Sequence, residues 1–183
     1  MDPATTIFWV LLAVMLEAFF SGSEIGMVSV NRIKMKQMAE EGNSAARSVL
    51  TLLDDPEKLF TTTSLGTNLA MMTSTAIFTA FMVSQFGDFG EWMAMVIIFP
   101  LVFFGGEIIP KVIFQNRADS IMLLMIYPLN FFYKVMSPFI NWLSKTSQNL
   151  TNRVSEGITE KTFTFSRDQL RKALSLDSQT IDL

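Results

Sequence analysis

The sequence predicts an all-α membrane protein: three transmembrane helices with juxtamembrane amphipathic helices, the N-terminus outside and the C-terminus cytoplasmic. Three observations carry that expectation. Half of the 183 residues are hydrophobic and only 17% are charged, a balance that suits lipid better than water. The apolar residues gather in stretches of the roughly 20 residues that a bilayer crossing requires. Lysine and arginine are concentrated in particular connections and absent from others, which is the signal that sets orientation in a membrane.

The first stretch covers residues 7–30. No basic region precedes it and it has no small-residue cleavage site, so a retained span is expected rather than a cleaved leader. Residues 31–58, "NRIKMKQMAEEGNSAARSVLTLLDDPEK", are mixed in charge and favour helix, with Gly42 as a break. They read as two short amphipathic helices at a membrane surface. "DDPEK" then has the form of a helix start, with Asp55 as cap, Pro56 in the first turn and Glu57 after it.

The second span is residues 59–85, rich in Thr and Ser and with Asn68 near its middle. "FGDFGE" at 86–91 is a short turn. The third span is residues 92–109, with Trp92 as an interfacial anchor and Pro100 inside it. Residues 120–143 are apolar but interrupted by Pro128, Lys134 and Pro138. They suit either a fourth span or a pair of short interfacial helices. The interfacial pair is favoured, because Lys134 would otherwise sit at mid-bilayer. The tail from Ser144 is polar, and "SRDQLRKAL" opens with a capping-box pattern, Ser166 with Gln169 three residues on.

Orientation follows from the cations. Arg32, Lys34, Lys36, Arg47 and Lys58 lie in 31–58, and Lys111 and Arg117 follow the third span. The first six residues and the 85–91 turn carry none. Three spans place both basic segments in the cytoplasm; a fourth would put the basic tail outside. The expected organisation is a transmembrane domain at 1–145, including juxtamembrane helices at 31–58 and 115–145, and a cytoplasmic tail at 146–183.

Several function classes are disfavoured by composition. The chain has no cysteine and no histidine, which removes disulfides, most transition-metal sites, Ser-His catalysis and zinc proteolysis. Asp88 alone in a turn makes no paired-aspartate site. An enzyme is therefore not expected. With a net charge of -3, no bulk basic field favours nucleic acid.

The polar residues inside the apolar stretches carry the chemistry, because such residues normally face protein or water. Glu17, Ser21 and Glu24 follow at four and three residues and so share a helical face. Ser64, Asn68 and Thr75 form a stripe on the second span. In "GGEIIPK", at 105–111, Pro110 has no N–H, so the Gly106 carbonyl four residues back loses its helical partner. Gly105 and Gly106 leave the backbone bare, and Glu107 adds a carboxylate next to it. An amide, hydroxyls, a carboxylate and a free carbonyl are hard oxygen ligands, suited to magnesium, calcium or sodium. Taken singly, the hydroxyls more often bond the carbonyl one turn back, and Asn68 alone serves equally well as interhelical glue. Glu107 on a Gly-Pro-broken segment, irregular backbone of the kind that lines a cavity at membrane depth, is the residue that argues most for a site.

"FSGSEIGMVSVNRIKMKQMAEEGN", "DDPEKLFTTTSLGTNLA" and "GGEIIPK", in that order and at those separations, resemble the transmembrane domain of the CorC and cyclin-M (CNNM) magnesium transporters. The resemblance covers roughly residues 7–145. It implies three transmembrane helices, cytoplasmic juxtamembrane helices, a homodimer, and an intramembrane magnesium site serving transport often described as sodium-coupled export. Carried over by motif, Ser21, Asn68 and Glu107 fall on the family's ion-site region; Ser64 and the Gly106 carbonyl are added from spacing. Magnesium is then the transported ion, with sodium as the coupling candidate. Family members continue into a nucleotide-binding CBS pair, which this sequence does not contain, so nucleotide is expected only through that region. The expected location is a bacterial inner or plasma membrane. Gly22, Gly26, Gly66, Gly105 and Gly106 favour close helix packing and, with so thin a wall around an ion path, a homodimer. The alternative is a membrane anchor or scaffold for a cytosolic regulatory domain, without transport of its own.

Overall fold

A computed structural model describes residues 2–142. Among them every regular element is a helix. The tail at 146–183, with the helix expected from Ser166, lies outside the described residues.

Helix α1, Pro3–Ser29, begins on a proline and ends where Val30 turns extended. Two short helices follow, α2 at Arg32–Glu40 and α3 at Ser44–Leu53. Each has an asparagine cap: Asn31 accepts from the Ile33 and Lys34 N–H groups, and Asn43 from that of Ala46. Such a cap satisfies donors that the first helical turn leaves unpaired. Between them Gly42 takes φ 96°, a conformation that favours glycine. The long helix α4, Pro56–Phe86, is capped by Asp55, whose carboxylate accepts from the Lys58 N–H, as the "DDPEK" pattern predicts.

The expected six-residue turn is tighter than that. Gly87 alone reverses the chain, and α5, Asp88–Pro100, starts at once. A π-helical segment, Leu101–Ile108, and helix α6, Ile109–Asn116, continue the same rod. The rod spans Asp88–Asn116, 29 residues, against the 92–109 expected. Helix α7 occupies Ala118–Trp142.

Two expectations are corrected here. "GGEIIPK" is not an unwound break: the helix runs through it in a wider register, so the chain passes Pro100 and Pro110 without leaving helical conformation. Nor is 120–143 a pair of helices. Pro128 and Pro138 sit inside one continuous helix, whose length and apolarity make it the fourth candidate for a crossing, beside α1, α4 and the Asp88–Asn116 rod.

The packing of α7 gives that helix a direction. Near its start, Asp119 accepts the Asn31 N–H at 2.9 Å and pairs with Lys34 at 3.0 Å. Tyr127 meets Ser44 at 3.1 Å, and the Tyr133 hydroxyl donates to Asp55 at 3.3 Å. Those partners mark the end of α1, the start of α3 and the start of α4. Lys58 also lies over the Tyr133 ring, 4.9 Å from its centre. Helix α7 therefore runs along the α2–α3 layer from one polar junction to the next.

Helix α1 is the centre of the bundle, packed against α4, the π segment and α6. Two apolar clusters hold it. One joins Val10 and Val14 to Ile98 and Val102. The other joins Met27 and Val30 to Met35, Val49, Leu52, Leu59, Met122 and Leu129. In the α2–α3 layer, burying a side chain such as Val49 or Leu52 contributes about 1.5–3 kcal/mol relative to leaving it in water. Between the long helices close packing takes over that role. Phe8, Met15, Trp92, Val96 and Phe99 point outward, as lipid-facing residues should. The chain falls into two units, Met1–Pro138 and Phe139–Leu183. In the second, the Phe139 and Trp142 rings are 6.0 Å apart.

Candidate functional site

The π segment supplies the backbone of the site. The Ile109 N–H donates to the Phe104 carbonyl, five residues back. In an α-helix that donor belongs to Gly105. Pro110, one residue on, has no N–H to offer either Gly105 or Gly106. In that five-residue register the N–H missing at Pro110 is the one Gly105 would receive, so the carbonyl deficit anticipated at Gly106 falls on Gly105. π-helical turns of this kind are frequent at functional sites.

Glu17 fills the space that Gly106 leaves. A Cβ at position 106 would lie 2.5 Å from Glu17 Cδ and 2.6 Å from both carboxylate oxygens. Only glycine lets the α1 carboxylate rest on the π segment, and the side chain there is 1% exposed. Oε2 of Glu17 has no hydrogen-bond partner, nor do the buried Oγ atoms of Ser21 and Ser23. The α4 hydroxyls behave differently. Thr61, Thr62, Thr63, Thr67, Thr73 and Ser74 each bond a carbonyl three or four residues back, the bland outcome expected of membrane-helix Thr and Ser. Buried polar atoms are nearly always satisfied, so three free oxygens on one stretch of α1 stand out.

Glu107 follows Gly106 directly, so the segment that carries the Glu17 contact also carries a second carboxylate. Lys111, one turn on, places Nζ 2.6 Å from Glu107 Oε1; the side chains are 40% exposed for Glu107 and 34% for Lys111. Glycines set the surrounding spacing. Phe114 packs on Gly22, Met122 on Gly26 and Phe20 on Gly66, in each case where a Cβ would clash.

Of the residues singled out from sequence, Glu17, Gly105, Gly106, Glu107, Pro110 and Lys111 come together, with Ser21 one turn along α1 from Glu17. Glu24 is half-buried and accepts from Ser64 at 3.5 Å. Ser64 and Asn68 lie on an exposed face of α4, and neither hydrogen-bonds Glu107 in the described chain. No group of three or more acidic side chains that could hold a metal occurs among the described residues. The site offers two carboxylates, bare backbone and hydroxyls. Ser23 was missed because it falls off the four-three stripe of Glu17, Ser21 and Glu24. The register shift was missed too; its available signal is Pro100 and Pro110, ten residues apart around two glycines.

Comparisons with known proteins agree on one group. The family described as "Cyclin M transmembrane N-terminal domain" matches residues 7–182. A UPF0053 protein of Haemophilus influenzae is 26% identical over 174 residues, 94% of this chain and 41% of that protein. The UPF0053 inner membrane protein YfjD of Escherichia coli is 34% identical over 116 residues, 63% of this chain and 26% of its own length. A protein of Escherichia coli named "Polyamine export protein" is 39% identical over 59 residues, 32% of this chain and 13% of that protein. The chain thus spans well under half the length of these relatives.

Proposed function

Because this chain belongs to the cyclin M transmembrane family, we propose that it carries a divalent cation, magnesium, through the membrane by way of the Glu17–Gly106–Glu107 site, with export coupled to sodium as the working direction. The observation that supports this most is the Glu17 carboxylate, buried on bare π-helical backbone with Oε2 unpartnered. An anchor needs no such feature, and an intramembrane carboxylate is a functional residue by default. Two carboxylates plus carbonyls, hydroxyls and retained water suit a hard dication that gives up its hydration reluctantly. Ser21 is the nearest hydroxyl ligand. Ser64 and Asn68 join only if α4 rotates or if a second copy closes the site.

Titration calorimetry of the purified protein with magnesium is expected to give saturable binding, with calcium, sodium and cobalt as comparisons. Glu107→Gln keeps the size and removes the charge, and should weaken binding by about 1.5–3 kcal/mol, the range of a hydrogen bond to a charged group. A parental protein that shows no saturable magnesium heat rejects the reading.

A second reading, export of an organic polycation, has one observation in its favour. Glu107 already accepts a primary ammonium, that of Lys111, and one relative is named a polyamine export protein. Putrescine added to the calorimetry series decides between them: displacement by putrescine with no magnesium binding favours the polycation.

The topology belongs to the same proposal. Three spans, with α7 along the cytoplasmic face, are supported by the pinning of α7 to the α1–α2, α3 and α3–α4 junctions and by the Lys/Arg pattern. Cysteines placed at Gln85 and Ser178 should then label from opposite sides, Gln85 from outside. Gln85 is chosen because Gly87 has φ 60°, where a side chain would strain the turn. Labelling of both from one side makes α7 a crossing. A homodimer in a bacterial inner membrane completes the proposal. An apolar groove of about 620 Å³ between α4 and α5, lined by Met71, Met72, Met95, Ile98 and Phe99, is the face it would use, and a monomeric mass in lipid discs rejects it.

A further inference from the structure

Among the described residues Lys111 is the cation paired with Glu107, and its geometry gives it a role beyond that of a bystander. Its ammonium lies 2.6 Å from Glu107 Oε1 and belongs to the next helical turn of the same rod. The i,i+4 spacing keeps it within reach of Glu107 whatever else occupies the site. A dication at Glu107 and an ammonium at Glu107 need the same lone pairs. Asp119, the other carboxylate in a recorded ion pair, is already held by Lys34.

We propose that Lys111 is a tethered competitor: its ammonium occupies Glu107 between transport events, and an arriving cation must displace it. The proposal rests on the reading of Glu107 as a cation ligand. Two further observations support it. Both side chains are a third or more exposed, so the pair is weak enough to open; half-exposed ion pairs contribute little net stability. Glu17, by contrast, has no recorded basic partner and keeps Oε2 free. One carboxylate is thus guarded and the other open, and this arrangement would let a divalent cation bind yet leave. Release is the harder half of transport for a site of two carboxylates: Lys111 returning to Glu107 replaces the lost charge as the ion departs.

The test compares magnesium binding by calorimetry in the parent, Lys111→Met, Lys111→Arg, Arg117→Gln and Glu107→Gln. Lys111→Met keeps the length and apolar stem but removes the competitor, and should bind about two- to five-fold tighter, the range that a partly exposed ion pair covers. Lys111→Arg retains a cation that can grip the carboxylate with two donors, and should bind no tighter than the parent. Arg117→Gln removes a charge six residues on that does not touch Glu107, and should match the parent. Binding by Lys111→Met equal to or weaker than the parent, with Glu107→Gln still impaired, overturns the competitor and leaves the cation site standing. Equal tightening in Lys111→Met and Arg117→Gln also overturns it, because the effect is then the general field of a positive charge. If neither the parent nor Lys111→Met binds magnesium, the cation site is wrong and the competitor falls with it.

Discussion

Gly106→Val should weaken cation binding strongly while leaving the helices formed. The valine Cβ would enter the volume of the Glu17 carboxylate, with Cδ 2.5 Å away, and its two methyl groups reach further. The carboxylate must swing off Gly106, because the obstacle on the other side is main chain. Overpacking a tight contact costs about 1–3 kcal/mol. Displacement of Glu17 from the π segment should therefore lower magnesium affinity by about five- to a hundredfold. Gly105→Ala is the matched control. A Cβ there meets only Leu101 Cδ1 and Val14 Cγ1, both at 3.9 Å, which is ordinary contact, so near-parental binding is expected. Calorimetry reads the affinity, and a melting curve in detergent checks folding. Parental affinity in Gly106→Val would show that Glu17 has no part in the site.

Glu17→Gln should separate stability from binding. In the parent a carboxylate is 1% exposed, with one oxygen unpaired. Burying a charge without a partner is costly, and an unsatisfied buried group costs about 1–3 kcal/mol. The amide keeps the shape, drops the charge and brings an NH₂ donor to the bare backbone at Gly106. The variant should therefore melt higher than the parent and bind magnesium at least about tenfold more weakly, the loss expected for a charged ligand. A residue kept only for packing would move neither in this way. A variant that melts lower and binds like the parent would reduce Glu17 to a structural role.

The two results together test why the chain tolerates such a residue. A site that must both bind and release a dication gains from a carboxylate poised without a permanent partner. The same residue is expected to weaken the fold, because an unpartnered buried carboxylate is costly. The α4 hydroxyls of Thr61, Thr63 and Thr67 mark the contrast, since each closes onto its own backbone.

Much of this was legible in the residues. The lengths of the apolar stretches define α1, α4 and the Asp88–Asn116 rod, because bilayer thickness sets helix length. The Asn and Asp caps and Gly42 place α2, α3 and the start of α4, because helix ends need partners that only certain side chains supply. The lone carboxylate of "GGEIIPK" and the missing N–H of Pro110 draw attention to the candidate site from sequence alone. Tertiary structure decided what periodicity cannot reach. It showed that α7 is one helix lying along the α2–α3 layer, since Pro128 is tolerated where neighbouring contacts hold the chain. It wound the Gly-Gly segment as π-helix instead of breaking it. It also chose Glu17 as the partner of Gly106 and left Ser64 and Asn68 on an exposed face. The physical reason is the same in each case. Spacing along one helix fixes which residues share a face, but the rotation of two helices against each other is set by where their bulky and absent side chains interlock, here Phe114 on Gly22, Phe20 on Gly66 and Glu17 on Gly106.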